Sequence, residues 1–537
     1  MPEGSELEIK LAISDNRLFD SILADAELGA MMQGGDPVTQ TFEALYFDTP
    51  QFLLQKSGYA YRIRHEGRDW VATVKSDLST SGGLSEREEW NEKISGPEPS
   101  STPFAGTNVG DRLALILGSE KLQLLFSTRF SRTTAQLLTA SGATVEMALD
   151  KGTIWSGLVG IPISELELEL KEGSPSELLS LAARIAGRWH LSPEVKSKFA
   201  RGLELLQTNN PELTAIFAQA PPEKTGDPAP MILLNAQIKE LFALQSFLST
   251  ASPTPENIRD LRIQFRRLRS LLKFFQPCFD REKEALRQHL DRMRQWGMLL
   301  GQVRDLDVLI GAWGKFANRF QPVFSPSENW LEPIRERREF LAEDVFYRLW
   351  QGSLTQHLLE LQGWLYQVEE QHSEHDEHWA DSFAQKAFLQ TLKDLREDIR
   401  SLRGLAPIKV LHRFRIRVKR LRYLQEAFNA FPRYRDEEFS AALKKLQGQM
   451  GKIHDAAQIK CLLDQVDAGN ENDILRLEKE LFISWRTRDL LGYYAELPKA
   501  VETFRQSAKL RLHTLAAFRT NRGTKSRQDA GAHEPGK

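Results

Sequence analysis

Residues 164–170 read SELELEL, an unbroken alternation of acid and leucine. A β-strand points successive side chains to opposite faces, so Glu165, Glu167 and Glu169 share one face and Leu166, Leu168 and Leu170 the other. The leucine face is an ordinary core face. The acidic face needs an explanation, because like charges side by side in a sheet repel unless something neutralises them. A second stretch repeats the problem. Residues 5–12, SELEIKLA, set Glu6, Glu8 and Lys10 against Leu7, Ile9 and Leu11. One such strand alone reads most simply as a solvated face. Two of them, among strands that carry cations at the same alternation, ask for a shared interior.

Those cations are Arg62 and Arg64 in AYRIR (60–64), Lys75 in VATVK (71–75), and then Arg87, Arg132, Lys198 and Arg201. Residues 145–149 and 163–170 also alternate, and SGG (81–83) and DKG (150–152) read as turns. Short helices are expected over DNRLFDSILADAEL and PSELLSLAARIAGRWHL. Residues 1–205 therefore read as a strand-rich domain. Prolines break the pattern, and 206–232 reads as a linker. From 233 to about 520 the apolar period is that of helices, and the polar stretch 521–537 is expected to be a disordered tail.

The bulk numbers agree with this division. A chain of 537 residues is too long for one core. With 41% hydrophobic and 27% charged residues the composition is globular, and a net charge of −2 excludes a molecule-wide polycation, so anion binding must come from local clusters. Cys278 and Cys461 cannot make a disulfide framework; they read as small buried hydrophobes in a reducing cytoplasm. MPEGSELEIK has no apolar core, so no signal peptide is expected, and no apolar run approaches a membrane span. No nucleophile elbow, Walker loop or dinucleotide fingerprint occurs, and His65 and His190 read as lone structural histidines.

A sheet with carboxylates on one side of its interior and Arg and Lys on the other suits phosphoryl transfer. Hard carboxylate oxygens hold Mg²⁺ or Mn²⁺, the cations grip phosphate, and the transition state asks for charge neutralisation and alignment. The ordered set resembles the CYTH family, the triphosphate tunnel metalloenzymes. It comprises Glu6-x-Glu8-x-Lys10, Arg62-x-Arg64, Thr73-x-Lys75, REE at 87–89, STRFSR ending at Arg132, EMALDKG with Glu146 and Asp150, the acidic row at 165–170, and KSKFARG with Lys198 and Arg201. The resemblance spans 5–203 and implies a closed antiparallel barrel of about eight strands. It implies hydrolysis of inorganic triphosphate or a related triphosphate, with adenylate cyclase or nucleoside triphosphatase as the alternative activity. By the same resemblance Lys10, Arg62, Arg64, Lys75, Arg87, Arg132, Lys198 and Arg201 hold phosphates. Glu6, Glu8, Glu167 and Glu169 bind metal, and Glu167, Glu169 and Lys10 are the catalytic set. Glu89, Glu146, Asp150 and Glu165 stay open between ligand and orienter, and Arg129 and Lys196 between site and surface.

The helical half repeats itself. IRDLRIQFRRLR (258–269) aligns with LHRFRIRVKRLR (411–422), and LLGQVRDLDVLI (299–310) loosely with QMGKIHDAAQIK (449–460). Two related helical bundles are expected. Arg259, Arg262, Arg266 and Arg269 make one narrow stripe, and His412, Arg415, Lys419 and Arg422 repeat its spacing. Like charges so spaced destabilise a helix. Each stripe therefore faces either acids on neighbouring helices, for which Asp305, Asp307 and Asp455 are available, or a polyanion. Two stripes with identical spacing favour the polyanion. This half resembles the CHAD domain over about 233–515, with Arg259 standing where the family has histidine. The resemblance implies binding of inorganic polyphosphate, association with polyphosphate granules, and two bundles sharing one basic groove. Nucleic acid is disfavoured because no stacking aromatics interleave the stripes. A polyphosphate-bound scaffold with little catalysis is the reading from outside the enzymes.

Overall fold

The computed structural model describes residues 5–81, 84–213, 229–248, 254–327, 329–372, 379–402, 406–466 and 473–529. The alternating segments form one antiparallel sheet. Its strands are β1 (Ser5–Ala12), β2 (Met32–Asp48), β3 (Tyr59–Glu66), β4 (Asp69–Ser81), β5 (Leu84–Ile94), β6 (Gln123–Leu138), β7 (Thr144–Ser156), β8 (Val159–Glu172) and the two-residue β9 (Ser192–Pro193). Their order is β5-β4-β3-β2-β6-β7-β8-β1-β9, and β1 also pairs with β5, with Glu6 opposite Arg87. Tight hairpins join β3 to β4 and β7 to β8. Gly67 and Gly157 adopt φ of +65° and +61° there, which a side chain would resist.

DKG at 150–152 is not a turn: β7 runs straight through it. Gly152 is there because a Cβ would lie 2.2 Å from the Arg129 carbonyl oxygen on β6. The helix expected after the first strand is two short ones, α1 (Leu18–Leu23) and α2 (Ala26–Met31), with the Asp25 carboxylate capping the second. Next come α3 (Leu53–Lys56), α4 (Asn108–Leu117), α5 (Pro175–Trp189) and α6 (Lys198–Asn209). α5 starts on a Ser174–Glu177 capping box, and the Ser197 hydroxyl caps α6.

Two cores fix the sheet. Tyr61, Ile63, Ala72 and Val74 pack with Phe104, Val109 and Leu113 of the α4 region. Phe42, Ala44, Tyr46, Phe126 and Phe130 form the second, with Phe199 and Leu203 of α6 against them. Each fully buried large side chain contributes about 1.5–3 kcal/mol. This compact unit takes in residues beyond the strand-rich region, namely 235–253 and 344–373. They include most of α7 (Pro230–Leu248) and, further on, the helix packed against α5.

The second unit is helical. Its helices are α8 (Pro255–Phe274), α9 (Lys283–Phe320), α10 (Glu332–Trp350, the first part only), α12 (Trp379–Ser401), α13 (Ile408–Phe428), α14 (Glu437–Val466) and α15 (Asp473–Asp529); α11 (Ser353–His372) belongs to the first unit. The internal repeat appears in three dimensions. α8 and α13 each end in a 3₁₀ turn, Gln276–Phe279 and Pro432–Tyr434, and a long helix follows each. Leu261, Phe265, Leu268 and Leu272 are the buried face of α8, as its period requires. A hydrophobic core in this unit joins Trp313 and Phe316 of α9 to Ile334 of α10, Ile459 of α14 and Phe482 of α15. α15 runs to Asp529, into the stretch expected as a tail, and 530–537 lie outside the described residues. Cys278 is buried and its thiol is pushed up to about 12 by burial, but Cys461 is exposed, which corrects the expectation for the second cysteine.

Candidate functional sites

Strand register assembles most of the first site. Across β1, β8, β7 and β6 three rows face the same way. Glu8 lies opposite Glu169, which lies opposite Glu146. Lys10 lies opposite Glu167. Glu165 lies opposite Asp150, which lies opposite Arg132. From the other side β3, β4 and β5 bring Arg62 opposite Thr73, Thr73 opposite Asn91, and Lys75 opposite Glu89. α6 adds Lys198 at its first turn.

These strands enclose a cavity of about 430 Å³. Of the residues expected from the sequence, Glu8, Lys10, Arg62, Arg64, Lys75, Arg132, Glu167, Glu169 and Lys198 line it. The side chains of Glu6 and Arg87 lie outside the described residues. Arg201 is not in the lining; its guanidinium is tied to Glu165 and, at 3.5 Å, to Glu194. Arg129 and Lys196 are surface residues paired with Glu43 and Glu204. His65 rests on Trp70, and His190 ends α5 beside the Gln351 carbonyl, both in structural roles.

A chain of alternating charge runs through the floor. Lys10 donates to Glu8 at 2.9 Å and to Glu167. Arg132 reaches both Glu167 and Asp150, taking the latter with two bonds of 2.7 and 2.6 Å. Lys198 donates to Asp150 at 2.6 Å, to Glu167 at 3.0 Å and to Glu165. Burial opposes these charges; the partners win at Lys10, Arg132, Lys198 and Glu167, whereas burial raises the Glu165 carboxyl despite Lys198 and Arg201 beside it. Lys198 is held far above an ordinary lysine by Asp150, Glu165 and Glu167, and Lys10 is raised by Glu167 and Glu8. Glu167 is held well below the usual carboxylate range by Lys10, Lys198 and Arg132. On the opposite wall Arg62 bonds Thr73 at 3.3 Å and is raised, despite burial, by Tyr46 and Glu89. Arg64 is lowered by burial and by Arg62 beside it.

Two groups of carboxylates must be weighed as metal seats. Asp150, Glu165 and Glu167 bring oxygen atoms within 4.8 Å of one another, yet the Lys198 ammonium bonds all three. Glu8, Glu169 and Glu146 stand in one row on the cavity wall, with Glu167 in the next row. This second set places hard oxygen donors, the kind Mg²⁺ and Mn²⁺ take, on the cavity wall, with Lys171 paired to Glu169 at 2.6 Å and Gln136 donating to Glu146 at 3.1 Å. Sequence reasoning left Glu146 open and missed Tyr46, Asn91 and Phe130. Phe130 carries Arg132 and Lys198 over its ring at 5.8 and 5.1 Å.

The second site lies in the helical unit, a groove of about 710 Å³. All eight residues of the two stripes line it: Arg259, Arg262, Arg266, Arg269, His412, Arg415, Lys419 and Arg422. Lys273, Arg304 and Arg420 join them, so ten Arg and Lys side chains face two carboxylates, Asp305 and Asp455. Asp307 pairs instead with Arg338 at 2.9 Å. Internal acids therefore do not balance the stripes. Lys273 was legible, since it continues the three–four spacing of its helix; in the second copy Glu426 holds that place and bonds Arg422 at 2.6 Å. The crowding shows in the ionisation. Lys419 is pushed down to about 6 by burial and by Arg415, Arg266 and Arg262. His454 is pushed to about 3 by burial and Arg415, and Arg262 to about 10 by burial and Arg266. Among the described residues, the buried Nε atoms of Arg269 and Arg415 have no hydrogen-bond partner.

Residues 4–203 match the model of the CYTH domain, and residues 233–464 that of the CHAD domain. The chain is 32% identical over 158 residues to the inorganic triphosphatase of Haemophilus influenzae; the match takes 29% of this chain and spans 44% of that relative's length. Among solved structures it resembles an adenylyl cyclase candidate from Hippeastrum with a dominant triphosphatase activity. That likeness has 22% identity, covers 37% of this chain and 95% of the other, and has a TM-score of 0.29. It also resembles the CHAD domain of Ricinus communis, with 21% identity, coverage of 54% and 95%, and a TM-score of 0.39. No helix among the described residues is long and apolar enough to cross a membrane.

Proposed function

We propose that this chain, in which a CYTH domain precedes a CHAD domain, is a metal-dependent inorganic triphosphatase whose helical domain binds polyphosphate. One observation carries the reading: six cations and three of the four expected metal-binding acids converge on a single cavity, although they come from five strands and a helix. The pairing of β5, at one end of the strand order, with β1, next to β9 at the other end, supports a tunnel closed on itself. Lys10, Arg132 and Lys198 take phosphate oxygens on one wall, and Arg62, Arg64 and Lys75 on the other. Arg87 completes the phosphate set implied by the resemblance, while Arg201, tied to Glu165 and outside the lining, falls out of it. Glu8 and Glu169, with Glu146 and Glu167 beside them and Glu6 on the same strand as Glu8, hold the divalent ion. Bound Mg²⁺ or Mn²⁺ supplies charge neutralisation and a more acidic water. The chain's own cations fix the triphosphate in line and stabilise the charge that gathers on the leaving diphosphate.

The basic groove takes the long polyanion. Ten cations against two acids suit a ligand with a charge on every unit, and polyphosphate is the candidate in the cytoplasm. The test is phosphate release from inorganic triphosphate, ATP and long-chain polyphosphate with Mg²⁺ or Mn²⁺, for wild type and Glu167→Gln. Metal-dependent triphosphate turnover that vanishes in the variant supports the reading. Turnover of none of the three leaves a scaffold, and cyclic nucleotide from ATP makes it a cyclase.

A further inference from the structure

Asp150, Glu165 and Glu167 have the look of a metal centre, with one oxygen of each inside a 4.8 Å circle. Their surroundings argue otherwise. Asp150 and Glu165 are 0% exposed, and neither is part of the cavity lining. Every oxygen of the pair is engaged. Arg132 takes both oxygens of Asp150, Lys198 bridges Asp150 to Glu165, and Arg201 takes the second oxygen of Glu165. A divalent ion would have to expel a buried ammonium that holds three carboxylates.

We propose that Asp150 and Glu165 are positioning residues: sealed beneath the cavity, they aim Arg132 and Lys198 at the triphosphate, and the Lys198 ammonium fills the seat between them that a metal would otherwise take. The proposal rests on the triphosphatase reading of the cavity. The geometry explains why two like charges stand directly opposite each other on β7 and β8, an arrangement that is destabilising unless cations bridge it. It also explains Arg201, which never reaches the cavity. Arg201 occupies the far oxygen of Glu165 and so leaves the near one to Lys198. Lys198 and Arg201 are both in the first turn of α6, so Glu165 pins the start of that helix against the sheet.

The test uses the full chain with Asp150→Asn, Glu165→Gln and Glu165→Asp, and Glu8→Gln as the metal-wall comparator. Mn²⁺ binding is counted by electron paramagnetic resonance, and KM and kcat for inorganic triphosphate are measured across Mn²⁺ concentration and pH. Positioning predicts an unchanged number of Mn²⁺ sites and a KM raised about tenfold or more. The fall in kcat is smaller. It also predicts partial rescue in Glu165→Asp, and little further effect when Glu165→Gln is added to Lys198→Met. Loss of a Mn²⁺ site, a half-activating Mn²⁺ concentration raised as much as in Glu8→Gln, or additive effects in the double variant would overturn it. If Asp150→Asn fails to fold, Glu165→Asp, which keeps the charge, carries the same comparison. A wild type that binds triphosphate without hydrolysing it removes the triphosphatase reading; the Mn²⁺ count and triphosphate affinity of the variants then decide the positioning role.

Discussion

Polyphosphate binding to the helical groove should take up a proton, and Lys419 should be where it goes. Lys419 lies on α13 beside Arg415, faces Arg262 and Arg266 of α8, and has Asp455 and His454 of α14 across from it. Burial and the three arginines push its pKa to about 6 from an ordinary 10.5. At pH 7.5 the ligand-free lysine is therefore neutral. A bound polyanion reverses the sign of the local field, and full recovery of the ordinary value would correspond to about 6 kcal/mol. The bound pKa is the higher one, so this contribution is fully present below about pH 6. It is lost as pH rises toward the bound value, about tenfold in affinity per pH unit. Calorimetry with long-chain polyphosphate at fixed ionic strength, in buffers of different ionisation enthalpy, should register about one proton taken up per groove at pH 7.5. Lys419→Met should remove that proton and flatten the slope above pH 6. Tight binding with no proton uptake would refute the reasoning, because Lys419 would then be charged already in the empty groove.

The same crowding makes a stability prediction: Lys419→Met should raise the melting temperature of the ligand-free chain, by an amount equivalent to about 1 kcal/mol or more, while weakening polyphosphate binding. In the tunnel, Glu167→Gln should cut triphosphate turnover on the order of a hundredfold, read by phosphate release. Glu167 has a depressed folded-state pKa, so its stabilising contribution is present above the ordinary 4.5 and disappears as pH falls below it. Acid-melting curves of wild type and Glu167→Gln should accordingly converge in strong acid. Gly202→Ala should destabilise by about 1–3 kcal/mol in denaturant melts, because the new Cβ would lie 2.2 Å from the Phe126 ring.

Much of this was legible in period and charge. Strict alternation in residues 5–12 and 164–170 set the acids on one face, and register then placed Glu8 opposite Glu169. The arginine stripes were legible because 3.6-residue geometry turns spacing directly into a face. What stayed hidden depends on partners distant in sequence. β2 carries Phe42, Ala44 and Tyr46 on one face and Leu45 and Phe47 on the other, so both faces read as core, although Ala44 and Tyr46 line the cavity. Asp150 sat inside an apparent turn, because the glycine two residues on answers a close backbone approach that no local pattern reveals. That Asp307 would leave the groove for Arg338 while Asp305 stayed could not follow from spacing, since the partner lies on another helix.

The charge balance of the cavity floor separates the two sites in how they should respond to salt. Among the described residues the cavity lining has six cations and five carboxylates, so it is nearly neutral before anything enters. A bare triphosphate would overwhelm it. A triphosphate that arrives already chelated brings its own counterions, and the wall only has to rearrange its pairs. The groove, with ten cations and two acids, must strip sodium or potassium from its ligand and release them to solvent. Raising the salt should therefore loosen the groove steeply and leave the cavity almost indifferent, with chelation by the divalent ion gating one site and ionic strength the other.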